Sequence, residues 1–115
     1  MSLDIYLYIR VDVGGIEPEY VEFYSANITH NLGKMAEKAG IYQHLWRFEE
    51  NGFKYAEELI RPIKDGIAWM KDYPDNFKKY NAPNGWGTYD QFLPWLEDLL
   101  EACERYPKAL VETSR

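Results

Sequence analysis

Asn27, Thr29, His30 and Asn31 give the stretch "SANITHN" more polar side-chain atoms than a simple turn needs. A histidine titrates near neutral pH, so His30 can serve as a general base or as a hydrogen-bond partner for a ligand. Each asparagine carboxamide both donates and accepts. Two further clusters lie downstream. "HLWRF" sets Trp46 beside Arg47, an aromatic face next to a guanidinium fork, which suits a base, a phosphate or a carboxylate. "APNGWGTYD" holds Asn84, Trp86 and Tyr89, and the glycines around Trp86 let the backbone turn sharply.

Each cluster also has a plainer reading. His30 can satisfy a nearby carbonyl and do nothing else. Asn27 can be a turn former and Asn31 a first-turn helix residue. Trp46 and Trp86 can plug the ends of a small core, with Arg47 paired to Glu49 or Glu50. What favours function is that three polar-aromatic clusters flank helix starts, where free N–H groups welcome polar ligands. The candidate ligand-binding set is therefore Asn27, Thr29, His30, Asn31, Trp46, Arg47, Asn84, Trp86 and Tyr89. No residue is assigned a catalytic role unless His30 acts as a base. No metal or cofactor is expected: His30 and His44 are far apart, no H-x-x-x-H or C-x-x-C occurs, and phosphate-loop, dinucleotide and nucleophile-elbow motifs are missing. Cys103 falls on an apolar helix face and reads as a buried, inert thiol.

These residues must be positioned by a small number of elements. "LDIYLYIRVDV" alternates, with Leu3, Ile5, Leu7, Ile9 and Val11 against Asp4, Tyr6, Tyr8, Arg10 and Asp12, as a strand with one buried face does. After the turn residues of "GGIEP", "YVEFY" alternates again, with Val21 and Phe23 inward and Tyr20, Glu22 and Tyr24 outward. A hairpin with a long or bulged connection follows. A first helix carries Leu32, Met35, Ala36 and Ala39 on one stripe, with Thr29 as its cap and Gly40 as its stop. "IYQHLWRFEENG" is irregular or a short helical turn. A second helix runs from about Lys54 to Asp72, where Pro62 predicts a kink or a late start. A short turn surrounds Phe77. A third helix spans "TYDQFLPWLEDLLEACERYP", with Thr88 and Gln91 at capping-box spacing and a bend at Pro94. "ALVETSR" closes the sheet. The expected fold is α+β, a single domain over 1–115, with a three-stranded antiparallel sheet and about three helices on one face. Tyr6, Tyr8, Tyr20 and Tyr24 then share the other face, with no cover, as a homodimer or protein-partner surface.

Composition narrows the function. The chain is 46% apolar and 17% aromatic, and ten tyrosines suit recognition surfaces as well as cores. A net charge of −6 argues against duplex nucleic acid and anionic membrane as partners. With one cysteine and no long apolar run, a cytoplasmic setting is expected.

"NITHNLGKMAEKAGIYQHLWRFEENG", "NGWGTYDQF" and the ending "ETSR" resemble a family of short bacterial and phage proteins that carry N-I-T-H-N and N-G-W-G-T-Y motifs. The family has no assigned activity, so the resemblance supports the same site residues and implies no ligand. Phe48 departs from its pattern, which has proline there; Tyr55 departs at a position usually held by a small capping residue. The leading expectation is a small binding protein, phage-encoded on the resemblance. It would hold a small polar or nucleotide-like molecule, or a protein segment, between the first helix start and the NGWG loop. The alternatives are an enzyme with His30 as base, and an interaction subunit working through the tyrosine face.

Overall fold

The computed structural model describes all residues from Met1 to Arg115. β1 (Ser2–Val11) and β2 (Glu19–Thr29) form an antiparallel hairpin, and β3 (Leu110–Ser114) pairs antiparallel with the other edge of β1. The sheet order β2-β1-β3 makes the first strand the central one. A 3₁₀ turn (His30–Leu32), α1 (Gly33–Lys38), α2 (Tyr42–Leu45), α3 (Glu57–Asp72), α4 (Pro74–Lys78) and α5 (Tyr89–Arg105) complete an α+β fold. The helices outnumber the three expected because two of the anticipated turns, around Tyr42 and Phe77, close into short helices.

The alternation of β1 predicts its burial. Leu3, Ile5 and Leu7 are fully buried beneath the helices. Burying side chains of this size stabilises the fold by about 1.5–3 kcal/mol each. The stripes of α3 (Leu59, Ile63, Ile67, Met70) and α5 (Phe92, Leu96, Leu99, Cys103) pack into the same core. Burial pushes the Cys103 thiol up to about 12, as an inert core thiol requires. The helices do not reach the hairpin tip. Ile9 and Val11 are half-buried, Val13 is exposed and Ile16 fully so. The radius of gyration of 14.9 Å exceeds the roughly 13 Å of a compact chain this long, as a projecting arm would cause.

β2 departs from the expected alternation. Leu7 pairs with Tyr24 but Tyr8 pairs with Glu22, so Phe23 is an extra, bulged residue. A one-residue insertion moves everything beyond it to the other face. Tyr24, opposite Leu7, therefore points toward α5 rather than sharing the outer face with Tyr6, Tyr8 and Tyr20. Burial, with Asp98 and Cys103 nearby, pushes its phenol up to about 12. Phe23 stays half-buried edge-on to Tyr106, with ring centroids 4.7 Å apart, and Val21, paired with Ile9 on the helix-side face, is 47% exposed because the helices stop short of it. β2 also runs past Tyr24 to Thr29, which places Asn27 within the strand and not in a turn.

One other local expectation changes. Lys54 and Tyr55 pair with β3 rather than joining the helix: Tyr55 bridges to Leu110, Val111 N–H donates to Lys54 O, and Ala56, already helical in backbone at φ −56° and ψ −33°, donates its N–H to Ala109 O. Glu58 secures this segment to the start of α3, its carboxylate accepting from Lys54 N at 2.6 Å and Tyr55 N at 2.8 Å. Neither Pro62 nor Pro94 ends its helix. Each is the sixth residue of its helix, so one early i→i−4 bond is lost and the rest continue.

Two predictions follow from these contacts. In an isolated helix, Gly66→Ala would gain about 1 kcal/mol. Here the added Cβ would lie 3.0 Å from Ile41 Cγ2 and 3.2 Å from the Ala39 carbonyl, a backbone atom that cannot swing aside. Overpacking of this kind costs about 1–3 kcal/mol, so Gly66→Ala is expected to lower the urea midpoint; a raised midpoint would refute the close packing of α3 on the Ala39–Ile41 turn. The two backbone donors at Lys54 and Tyr55 hold the Glu58 carboxyl below its ordinary range. A lowered native pKa stabilises only while the group is ionised: the contribution is present above the unfolded pKa of about 4.3 and is lost as pH falls through the native value. Glu58→Gln should therefore flatten the loss of stability on acidification below about pH 4.3, measured by denaturant titrations over that range.

Candidate functional site

The chain reversal after β2 builds the site. Thr29, extended at φ −66° and ψ 143°, caps the 3₁₀ turn by accepting from Asn31 N–H at 3.3 Å. His30 N–H donates to Met1 O at 3.3 Å, which ties the turn to the start of β1. The NGWG loop docks on this turn. Asn31 Nδ2 donates to Trp86 O at 2.8 Å, and Asn84 Oδ1 accepts from Trp86 N–H at 2.9 Å. Gly85 and Gly87 take positive φ, 76° and 112°, and Gly87 lies so close to the turn that a Cβ there would meet Asn31 Cβ at 3.0 Å and Thr29 Cγ2 at 3.1 Å. Gln91 completes the loop, its Oε1 accepting from Gly87 N–H at 3.0 Å and Thr88 N–H at 3.1 Å.

The result is two clefts that share His30 and Met1. One, of about 620 Å³, is lined by Ser2, Asn27, Thr29, Asn31, Asn84 and Trp86 as well. The other, of about 570 Å³, adds Trp46, Arg47, Phe48, Glu49, Glu50, Thr113 and Arg115. Residues distant in sequence thus meet around one histidine. Asn27 sits on the outer side of β2, where its Nδ2 donates to Ser2 Oγ at 2.8 Å and to Asp4 Oδ1. Its backbone carbonyl accepts from Trp95 Nε1 at 3.1 Å. Trp86 is 70% exposed at the rim, so it plugs no core.

The second cleft holds two arginines and two glutamates. Arg47 Nη1 lies 3.0 Å from Glu50 Oε1, and Arg115 Nη2 binds the same oxygen. The hydrogen bond from Arg47 holds the Glu50 carboxyl below its usual range. Trp46 is only 4% exposed, stacks on Tyr42 with centroids 5.6 Å apart, and stands edge-on to His30 at 6.3 Å. Both Trp46 Nε1 and His30 Nε2 are enclosed without a hydrogen-bond partner. Buried polar atoms without partners are uncommon.

One expected site residue lies elsewhere. Tyr89 is buried, its hydroxyl donates to Met70 O at 2.8 Å and its N–H donates to Asn81 Oδ1 at 2.7 Å. It lines neither cleft and anchors the start of α5 to α3. The sequence reading did not select Met1, Ser2, Glu50, Thr113 and Arg115. The signal for them is topological: an antiparallel β1 between β2 and β3 carries both ends of the chain to the end of β2, beside His30. No group of three or more His, Cys, Asp or Glu side chains is placed to hold a metal ion. No helix is long and apolar enough to cross a membrane.

Comparison with family models, curated proteins and solved structures gives no match to this chain.

Gly87 and Gly85 make a paired test of the loop docking. Both need left-handed backbone, which costs a non-glycine residue about 1–2 kcal/mol. Only Gly87 also lacks room for a Cβ; none of the neighbouring atoms comes within 4 Å of one at Gly85. Gly87→Ala should lose more stability than Gly85→Ala, by about 1 kcal/mol or more, in parallel urea titrations. Equal losses would refute the tight docking of the NGWG loop on the Thr29–Asn31 turn.

Proposed function

We propose that the chain is a small binding protein that holds a polar, nucleotide-like molecule across His30. The observation that carries this reading is the pair of clefts sharing that histidine, one rich in carboxamides beside an exposed indole, the other holding two guanidinium groups. Asn27 spends both side-chain N–H groups and Asn31 one of its two within the chain, and Asn84 engages its side-chain oxygen. That leaves acceptors on Asn27 and Asn31 and a donor on Asn84 for the edge of a base or another amide-like group. Trp86 offers a face for stacking. Arg47 and Arg115 provide the charge for a phosphate or carboxylate, in competition with Glu50.

A binding role is favoured over the enzyme reading. A general base gains from a carboxylate that orients it. Glu49 and Glu50 share the cleft with His30, but Glu49 accepts from Thr113 N–H at 3.2 Å and Glu50 is held by the two arginines. His30 has no hydrogen bond to either.

The test is a thermal-shift series with nucleosides, nucleoside monophosphates and inorganic phosphate. A ligand at a hundred times its Kd stabilises by about 2.7 kcal/mol, a rise of several degrees in Tm. Monophosphates are expected to raise Tm more than nucleosides or phosphate alone. Trp86→Ala removes a side chain that is mostly in solvent, so stability should hold while affinity falls by the roughly 1–3 kcal/mol of one stacked base. No shift from any member of the series would reject the nucleotide-like reading.

A further inference from the structure

The sheet face opposite the helices has no cover within the chain. β1 presents Asp4, Tyr6, Tyr8 and Arg10 there, in that order. The order is complementary to its own reverse. Let two such faces stack with their β1 strands antiparallel, about a two-fold axis at the level of Leu7. Asp4 of each copy then lies over Arg10 of the other, and Tyr6 lies over Tyr8. The flanking strands agree. Glu22, level with Tyr8, faces Ser25, level with Tyr6; Leu110, level with Tyr8, faces Glu112, level with Tyr6. No like charges meet. A two-fold axis along the strands would instead set Asp4 on Asp4 and Arg10 on Arg10.

Neither Asp4 nor Arg10 takes part in any ion pair of the chain. Arg10 is exposed and makes no side-chain hydrogen bond, and Asp4 accepts only from Asn27. Tyr20 and Tyr55 stand exposed on the same side, 52% and 44%, where stacking of a second sheet would cover them. We propose that this face is the interface of a symmetric homodimer, with a tyrosine layer closed at both ends by Asp4–Arg10 pairs between copies. Stacked sheets lie about 10 Å apart and cross at about 30°, an offset that the length of arginine can span. By the same symmetry Asn27, level with Asp4, faces Tyr20 of the other copy, so this interface and a ligand at the Asn27 carboxamide compete.

Sedimentation equilibrium over a wide concentration range tests it. The wild type should reach twice 13.6 kDa. Asp4→Arg and Arg10→Asp should each raise the dimer dissociation constant by about tenfold or more, since each sets like charges against one another. The double reversal, which restores both pairs with their signs exchanged, should return it close to the wild-type value. A wild type that stays monomeric overturns the proposal. So does a dimer indifferent to both single reversals, or one that the double reversal fails to recover. If Asp4→Arg does not fold, for want of its contact with Asn27, Arg10→Asp and Tyr8→Ser carry the test: both must weaken the dimer while circular dichroism stays native, and an unchanged dimer overturns the proposal.

Discussion

The whole structure depends on β1 being hydrogen-bonded along both edges while one of its faces is sealed from water. Leu3, Ile5 and Leu7 are the floor on which α3 and α5 pack, and their burial leaves no freedom in register. Shifting β1 by one residue would drive Asp4 and Tyr6 into the core. With β1 fixed, β2 must deliver Thr29 and His30 beside Met1, and β3 must deliver Thr113 and Arg115 to the same place. The clefts are a consequence of strand pairing before they are a consequence of any loop.

The loop then depends on the strand ends. Asn31, from the turn after β2, holds the Trp86 carbonyl, and Gly87 fits against Thr29 and Asn31 where a larger residue has no space. The capping glutamine of α5, Gln91, accepts from the Gly87 and Thr88 N–H groups. A helix start and a strand end are thus tied through one short glycine-bounded loop. This is how the indole of Trp86 can stand out into solvent while its backbone is fixed at both N–H and carbonyl.

Most of the architecture was legible in the sequence because it rests on periodicity, which a single chain displays. The alternation of β1, the apolar stripes of α3 and α5, the Thr88–Gln91 cap and the Gly40 stop follow from local chemistry alone. The bulge at Phe23 was not legible: an inserted strand residue has no signature when Phe23 and Tyr24 are both apolar enough for either face. Lys54 and Tyr55 read as helix because their propensities allow it, whereas pairing with β3 holds them outside it. Within the site, the polar-aromatic clusters beside helix starts pointed to His30, the asparagines and Trp86, which line one cleft. Tyr89 was misplaced because a tyrosine at a helix start looks the same whether its hydroxyl meets a ligand or the Met70 carbonyl. Arg115 and Met1 are visible only once the strand order is known.

The position of β1 has a further consequence in time. The ribosome delivers β1 and β2 together, and their hairpin contacts are local. The second edge of β1 has no partner until Leu110–Ser114 emerge, since Asp4 pairs with Ser114 and Tyr8 with Leu110. Throughout synthesis of the helices, then, the nascent chain carries an open strand edge lined by Leu3, Ile5 and Leu7. Such edges template pairing with other chains. The charges of Asp4 and Arg10, which alternate with those aliphatic residues, blunt that hazard before β3 arrives to end it.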